Sequence, residues 1–156
     1  MYVGDRDPIL HRTVRYGRTP ATFQPDTRYP VCWLDWEGED TLASTIWPAE
    51  FHLYRETWQE ARELGYRYCG VVDRPSAGRP RLLAIAAVWR YSEQAWEAAA
   101  VRTQPEFRRR GLAKAVVSFA TAHILESGQR ATCTTGSDNL AMQRTAESVG
   151  FFRNDT

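Results

Sequence analysis

Apolar and polar side chains alternate from Tyr66 to Asp73, with Tyr68, Gly70 and Val72 on one side and Cys69 and Val71 on the other. This period of two predicts a β-strand. The Pro75-Ser76-Ala77-Gly78 loop turns the chain back, Arg81 to Tyr91 forms the next strand, and a tight polar connection at Ser92 to Gln94 leads into a third over Glu93 to Thr103. That segment carries Ala98, Ala99, Ala100 and Val101 and stops ahead of Pro105, which has no N–H for a central ladder, so the strand leaves the sheet there. Beyond Gly111 the period lengthens: Leu112, Val116, Phe119, Ala120 and Ile124 recur at helical offsets, and Gly128 supplies a stop. An amphipathic helix of roughly four turns follows from this spacing. A short apolar segment from Ala131 to Thr135, a polar Gly136-Ser137-Asp138 turn and a helical stripe of Met142, Ala146 and Val149 complete the chain's second half.

The first half is less regular. Pro8, Pro20, Pro25 and Pro30 exclude long helices there, leaving short strands at Thr13 to Tyr16 and Val31 to Trp36. In the latter, Val31, Trp33 and Asp35 share one side and Cys32, Leu34 and Trp36 the other. From Pro48 to Leu64, Phe51, Tyr54 or Arg55, Trp58, Ala61 and Arg62 follow helical spacing, and Gly65 ends the run. Hairpin-linked strands, a crossover helix and a further strand describe an α/β (α+β) protein with a mixed sheet flanked by helices.

A chain of 156 residues suits one domain, and its 43% apolar and 25% charged residues are ordinary for a soluble globular protein. Twenty Lys and Arg against 19 Asp and Glu leave a net charge of +1, which gives no global drive toward nucleic acid or an anionic membrane. Any basic site must be local. Cys32, Cys69 and Cys133 form an odd set without metal-ligand spacing, so buried reduced thiols and no metal are expected. With neither a signal-like start nor an apolar run of membrane-spanning length, the expected location is cytoplasmic.

The local basic site is Pro105-Glu106-Phe107-Arg108-Arg109-Arg110-Gly111-Leu112-Ala113, between the third strand and the helix. The first turn of a helix has amides without intrahelical partners and carries roughly half a positive charge, which suits phosphate oxygens. Gly111 would let a ligand approach with no side chain intervening. By composition alone the cluster equally fits a solvated basic helix start, or a nucleic-acid contact, although it lacks interleaved aromatics.

The order of residues is more specific. Arg108-x-x-Gly111-x-Ala113 resembles the Arg/Gln-x-x-Gly-x-Gly/Ala signature of the GNAT superfamily of acyl-CoA-dependent N-acyltransferases, with Pro105-Glu106-Phe107 as its lead-in. Ala131 to Thr135, Asn139-Leu140-Ala141-Met142 and Val149-Gly150-Phe151 are similar to that superfamily's fifth strand, helix start and Gly-Phe ending. The resemblance covers roughly residues 66 to 151.

The resemblance implies one domain over residues 1–156, with an acceptor-side region at 1–65 and an acyl-CoA-binding core at 66–156. The fold would be a mixed, mostly antiparallel twisted sheet flanked by helices. The chain stops five residues after Phe151, so the usual C-terminal strands are expected to be shortened or missing. A homodimer partner, the N-terminal region or an open groove would take their place. The pantetheine arm of acetyl-CoA, or of another short acyl-CoA, would follow the strand near Val101, Arg102 and Thr103. Its diphosphate would meet Arg108, Arg109, Arg110, Gly111, Leu112 and Ala113, with Asn139 and Met142 touching the cofactor. The acceptor would be a small-molecule primary amine, attacking directly in a ternary complex.

Glu97, eleven residues before Arg108, is by the same resemblance the general base, and Trp96 and the neighbouring alanines would desolvate it. A strand glutamate in contact with solvent is the competing reading. Many members carry a tyrosine seven residues after the Asn139 position as the general acid; Ala146 stands there in this chain. The acid is therefore unassigned, with Cys133, Thr134 and Thr135 nearby by inferred topology. His52 and His123 read as surface or packed residues. Trp33, Trp36, Trp47 and Trp58 are divided between core packing and an acceptor pocket. Ala146 also leaves open a GNAT scaffold that binds acyl-CoA without transfer, or one with redirected chemistry.

Overall fold

The computed structural model describes residues 13–18, 23, 25–34, 46 and 55–154. The three middle strands form where the alternation lies: β3 at Tyr66–Asp73, β4 at Arg81–Trp89 and β5 at Ala95–Thr103, each antiparallel to the next. Five successive residues of β4, Ala84 to Val88, are buried because the strand is covered on both faces. Ala84, Ala86 and Val88 meet the helix side with Cys69, Val71 and Ala98, while Leu82 and Ile85 join Leu34 and Ile46 on the other side. Arg90 and Tyr91 fall outside β4, and β5 starts two residues after the predicted Glu93, because the Ser92 hydroxyl bonds the backbone of Gln94 and Ala95 into the turn.

The sheet has seven strands among the described residues, in the order β2-β3-β4-β5-β6-β1-β7. Here β1 is Thr13–Arg18, β2 Cys32–Leu34, β6 Arg130–Gly136 and β7 Phe152–Asn154. All neighbours are antiparallel except β5 and β6. β1 pairs with β6 on one side and β7 on the other, so the N-terminal region supplies the strand beside β6, and the strand after Phe151 is three residues long. Of the strand expected over Val31 to Trp36, β2 holds Cys32 to Leu34; Asp35 and Trp36 lie outside the described residues, as does the first part of the helix expected from Pro48. Its described part, α1, is Arg55–Glu63.

The helix α2, Leu112–Glu126, covers β3, β4 and β5 with Leu112, Val116, Val117, Ala120 and Ile124, all buried. Phe119 reaches the edge of this core and meets Trp33 edge-to-face at 5.0 Å. The helix α3, Leu140–Val149, packs on α2 and β6 through Ala146 and Val149. Gly150 ends it with a φ of 103° and donates to the Ala146 carbonyl at 3.1 Å, a left-handed exit that seats Phe151 in the core.

Gly70 is enclosed by backbone as well as by a side chain. A Cβ there would lie 2.6 Å from a Leu82 methyl and 2.8 Å from the Ala84 carbonyl oxygen, and backbone cannot yield as a side chain does. Gly70→Val is expected to destabilise the protein by about 2–3 kcal/mol, read as a lower midpoint in urea unfolding with the slope unchanged.

Candidate active site

Two interruptions of regular structure create the site. The first is in β5. Ala84 pairs with Thr103 and Ile85 with Arg102, but Ala87 pairs with Ala99, so β5 holds one extra residue opposite Ala86. Ala100 absorbs it with a φ of 53°. The second is the separation of β5 from β6: they pair in parallel only at Ala95, Trp96 and Glu97, against Arg130, Ala131 and Thr132. Past Glu97 the two strands part. The Gln104 N–H donates to the Leu83 carbonyl at 2.9 Å, toward β4, and successive strand residues point their backbone groups to opposite sides. The N–H and C=O of Val101 and Thr103 therefore face the opening beside β6.

The opening leads to the start of α2. Pro105–Phe107 makes one 3-10 turn, Arg109 takes a φ of 66° and Gly111 a φ of 83°. Gly111 caps α2 without a side-chain acceptor, and the first amide to close a helical bond on it is that of Ala115, at 3.1 Å. The preceding amides form a concave donor surface at the positive end of the helix. A Cβ on Gly111 would fill the space against it and meet the Arg28 guanidinium. This cradle fits a diphosphate, and the backbone edge at Val101 and Thr103 fits the amide-bearing arm of coenzyme A.

The predicted side chains divide. Arg108, Arg109 and Arg110 are all exposed; the Arg110 guanidinium lies 5.1 Å from the centroid of the Phe107 ring and its carbonyl accepts a 2.8 Å hydrogen bond from Tyr29. Arg102 turns its side chain to the other face, donating to the Ile46 carbonyl at 2.8 Å, and its backbone groups face β4, where it pairs with Ile85, so the expected cofactor contact of Arg102 is not borne out. Leu112 is buried in the core, so its contribution to a ligand is its amide. Asn139 spends its side-chain oxygen on the Met142 N–H at 3.2 Å, capping α3, and Met142 packs against the core. The expected cofactor contact of Asn139 thus competes with a helix cap.

Glu97 stands at the last pair before the strands part, half-buried, and its Oε1 accepts a 2.8 Å hydrogen bond from the Thr134 hydroxyl across the opening. Thr134 is the member of the Cys133-Thr134-Thr135 run that reaches it. Cys133 and Thr135 are buried, and burial followed by the nearby Glu97 charge pushes the Cys133 thiol up to about 12, which removes it as a thiolate nucleophile. Ala146 is fully buried, so α3 offers no acid at that position.

Strand register puts Tyr66 and Trp89 on the face of Glu97, with Tyr68 and Tyr91 against those two rings. Tyr66 pairs with Trp89 and Trp89 with Glu97, placing all three on one face. The Tyr66 and Trp89 rings stack at 5.2 Å, Tyr68 stacks on Tyr66 at 6.3 Å, and Tyr91 lies 5.1 Å from Trp89 with its hydroxyl 3.1 Å from that of Thr132. Burial, the neighbouring Tyr68 and Glu97 raise the Tyr66 phenol to about 12, so it keeps its proton at neutral pH. These residues were missed in the sequence because their proximity to Glu97 depends on two hairpin registers. Alternation from Glu97 back through β4 to β3 is the signal that would have found them.

Trp33 is not among them. It packs on the opposite face, edge-to-face with His123 at 4.8 Å, with the Arg67 guanidinium 3.8 Å from its ring centroid. Trp36, Trp47, His52 and the Trp58 side chain lie outside the described residues. His123 belongs to the same far-side cluster as Trp96, and burial, then Arg67, lower its pKa; Glu126 opposes them and Arg90 adds a still smaller lowering. A histidine that resists protonation when folded contributes stability that is complete above its unfolded pKa of 6.5 and is lost as pH falls through the folded value. The melting temperature is accordingly expected to fall from about pH 7 to about pH 5, and His123→Gln to flatten that part of the profile.

Among the described residues, no group of His, Cys, Asp or Glu is arranged to hold a metal, and no helix is long and apolar enough to cross a membrane.

The sequence profile of FR47-like proteins matches residues 79–156, which contain the bulged strand, the cradle and α3. No protein of curated function matches the chain in sequence. Among solved structures, a GNAT-family protein of Novosphingobium aromaticivorans superposes with a TM-score of 0.66 at 25% identity, over 91% of this chain and 59% of its own. A GNAT-family acetyltransferase of Colwellia psychrerythraea gives 0.66 at 19% identity, over 90% of this chain and 52% of its own. The chain thus spans little more than half the length of these two proteins. AAC(6')-Iy, solved in complex with the bisubstrate analogue CoA-S-monomethyl-acetylneamine, gives 0.61 at 16% identity, over 83% of this chain and 95% of its own. Residues 79–156 make up half of the sequence, and through them the chain belongs to the FR47-like family and, with it, to the GNAT superfamily.

Proposed function

We propose that the chain is an N-acyltransferase that moves an acetyl or other short acyl group from acyl-CoA to a primary amine by direct attack in a ternary complex. The observation that carries this reading is the parting of β5 from β6 immediately past Glu97, in line with the uncapped start of α2 at Gly111. AAC(6')-Iy, of the same fold, holds a CoA-linked analogue, in keeping with a donor of this kind.

Bound acyl-CoA supplies a thioester carbonyl. Val101 and Thr103 hold its arm through backbone hydrogen bonds, and the amides from Arg109 to Ala113 neutralise its diphosphate. The amine approaches over the Tyr66, Trp89 and Tyr91 face, where a carboxylate and aromatic rings suit an ammonium group before it reacts. The ammonium first gives one proton to Glu97, held by Thr134, which passes it to solvent, and Glu97 takes the second as the neutral nitrogen forms the C–N bond. The C–S bond breaks with its electron pair on sulfur, and solvent protonates the thiolate in the absence of an acid on α3.

The test is to incubate the protein with acetyl-CoA and a panel of primary amines, following thiol release and the mass of the acetylated amine. Product formation that requires both substrates together supports direct transfer. Accumulation of an acyl-Cys133 protein contradicts it. The buried Ala146 favours a second reading, an acyl-CoA-binding module, for which tight CoA binding with no thiol release across the panel is the expected result.

A further inference from the structure

The segment Pro25 to Val31, ahead of β2, is fastened across the start of α2. The Asp26 N–H donates to the buried Ser118 hydroxyl at 3.0 Å, and the Tyr29 hydroxyl donates to the Arg110 carbonyl at 2.8 Å. Between these anchors, Arg28 lies against Gly111, where a Cβ would collide with its guanidinium. Asp26 orients it. The Asp26 carboxylate accepts from the Arg28 backbone N–H at 3.0 Å, from Nε at 3.2 and 3.1 Å, and from Nη2 at 2.9 Å. These bonds, with Lys114 adding a smaller attraction, hold the Asp26 carboxyl below the usual carboxylate range.

The exposure of the pair is lopsided: the Asp26 side chain is 6% exposed and that of Arg28 64%. A surface ion pair contributes little stability, and nothing in such a role requires the guanidinium to rest on a glycine at a helix start. Nη2, which bonds Asp26, is the nitrogen against Gly111, and Nη1, 3.7 Å from a Cβ built there, enters none of the bonds to Asp26. Arg28, Lys114 and the Arg108 to Arg110 run gather positive charge at this helix start, against Asp26 and Glu106.

Resting on the acyl-CoA reading above, we propose that Arg28 is a phosphate ligand of the donor, positioned by Asp26, and that it completes from the N-terminal segment the cradle formed by Arg109 to Ala113. The phosphate is either the diphosphate or the 3′-phosphate, the two sources of this chemistry in coenzyme A.

Calorimetric titration of the full chain with CoA and dephospho-CoA, and competition of pantetheine against CoA, test it in wild type, Arg28→Gln and Arg28→Lys. Charge-assisted bonds of this kind predict a loss on the order of tenfold in CoA affinity for Arg28→Gln, partly restored in Arg28→Lys, with pantetheine unchanged. An equal loss for CoA and dephospho-CoA assigns the diphosphate; a loss for CoA alone assigns the 3′-phosphate. Wild-type affinity for CoA in Arg28→Gln overturns the proposal while leaving the acyl-CoA reading intact. So does an equal loss for pantetheine, which would make the segment a structural brace. A wild-type protein that binds neither CoA nor dephospho-CoA overturns the donor reading itself, and this proposal with it.

Discussion

Gly111→Glu is expected to lower the affinity for acetyl-CoA by a factor of about 100 or more, equivalent to about 2.7 kcal/mol. Three effects act at one position. The residue holds a φ of 83°, where a side chain costs about 1–2 kcal/mol. A Cβ there meets the Arg28 guanidinium and so displaces the nearest cation. The added carboxylate then sits at the amides that would otherwise receive a phosphate, where like charge repels and the helix start is neutralised from within. The strain alone lowers the melting temperature by only several degrees in a chain of this size, so folded protein is available for calorimetry. Gly111→Ala shares the strain without the charge and is expected to lose about tenfold. Equal affinity in wild type and Gly111→Glu would remove the cradle from the binding site.

For the chemical step the largest expected effect is at Glu97. Glu97→Gln keeps the shape and can still accept the Thr134 hydroxyl, but it cannot take a proton. Loss of a positioned base costs about 100-fold or more in kcat, with little change in KM for the acyl donor, because the residue lies at the apex of the opening and not along the phosphate cradle. The dependence of kcat on pH changes shape as well. Thr134→Val, which removes the 2.8 Å bond to Oε1, is expected to cost about tenfold, as for a hydrogen bond to a charged group. An unchanged rate and pH profile in Glu97→Gln would mean that water or another residue is the base.

Local patterns were legible in the sequence where local physics decides them. The hairpins of β3, β4 and β5 are set by turns and by alternation, and α2 by its helical period, so these elements stand within two residues of their predicted bounds. The position of β1 was not, since its pairing with both β6 and β7 joins residues more than a hundred apart in the chain and no local signal reports it. The face of Glu97 follows from its pairing with Trp89, and the extra residue at Ala100 then shifts the later part of β5, so alternation counted from one end of the strand misplaces the other. Trp33 shows the same limit: its composition suits an aromatic pocket, but the pairing of β2 with β3 turns it toward Phe119 and His123. Asn139 could have been read more fully, because an asparagine ahead of a helix is a preferred cap. Arg28 carried no motif and became a candidate only when its segment was seen to cross Gly111.

That acyl-CoA lies along the opening between β5 and β6, with its diphosphate at the start of α2, is tested most directly by titrating isotope-labelled protein with CoA and following backbone amide resonances. The expected result is saturable shifts concentrated at Ala98 to Thr103 and Arg109 to Ala113, with the amides of α1 unmoved. Shifts that cluster elsewhere, or an unaltered spectrum at millimolar CoA, would contradict it.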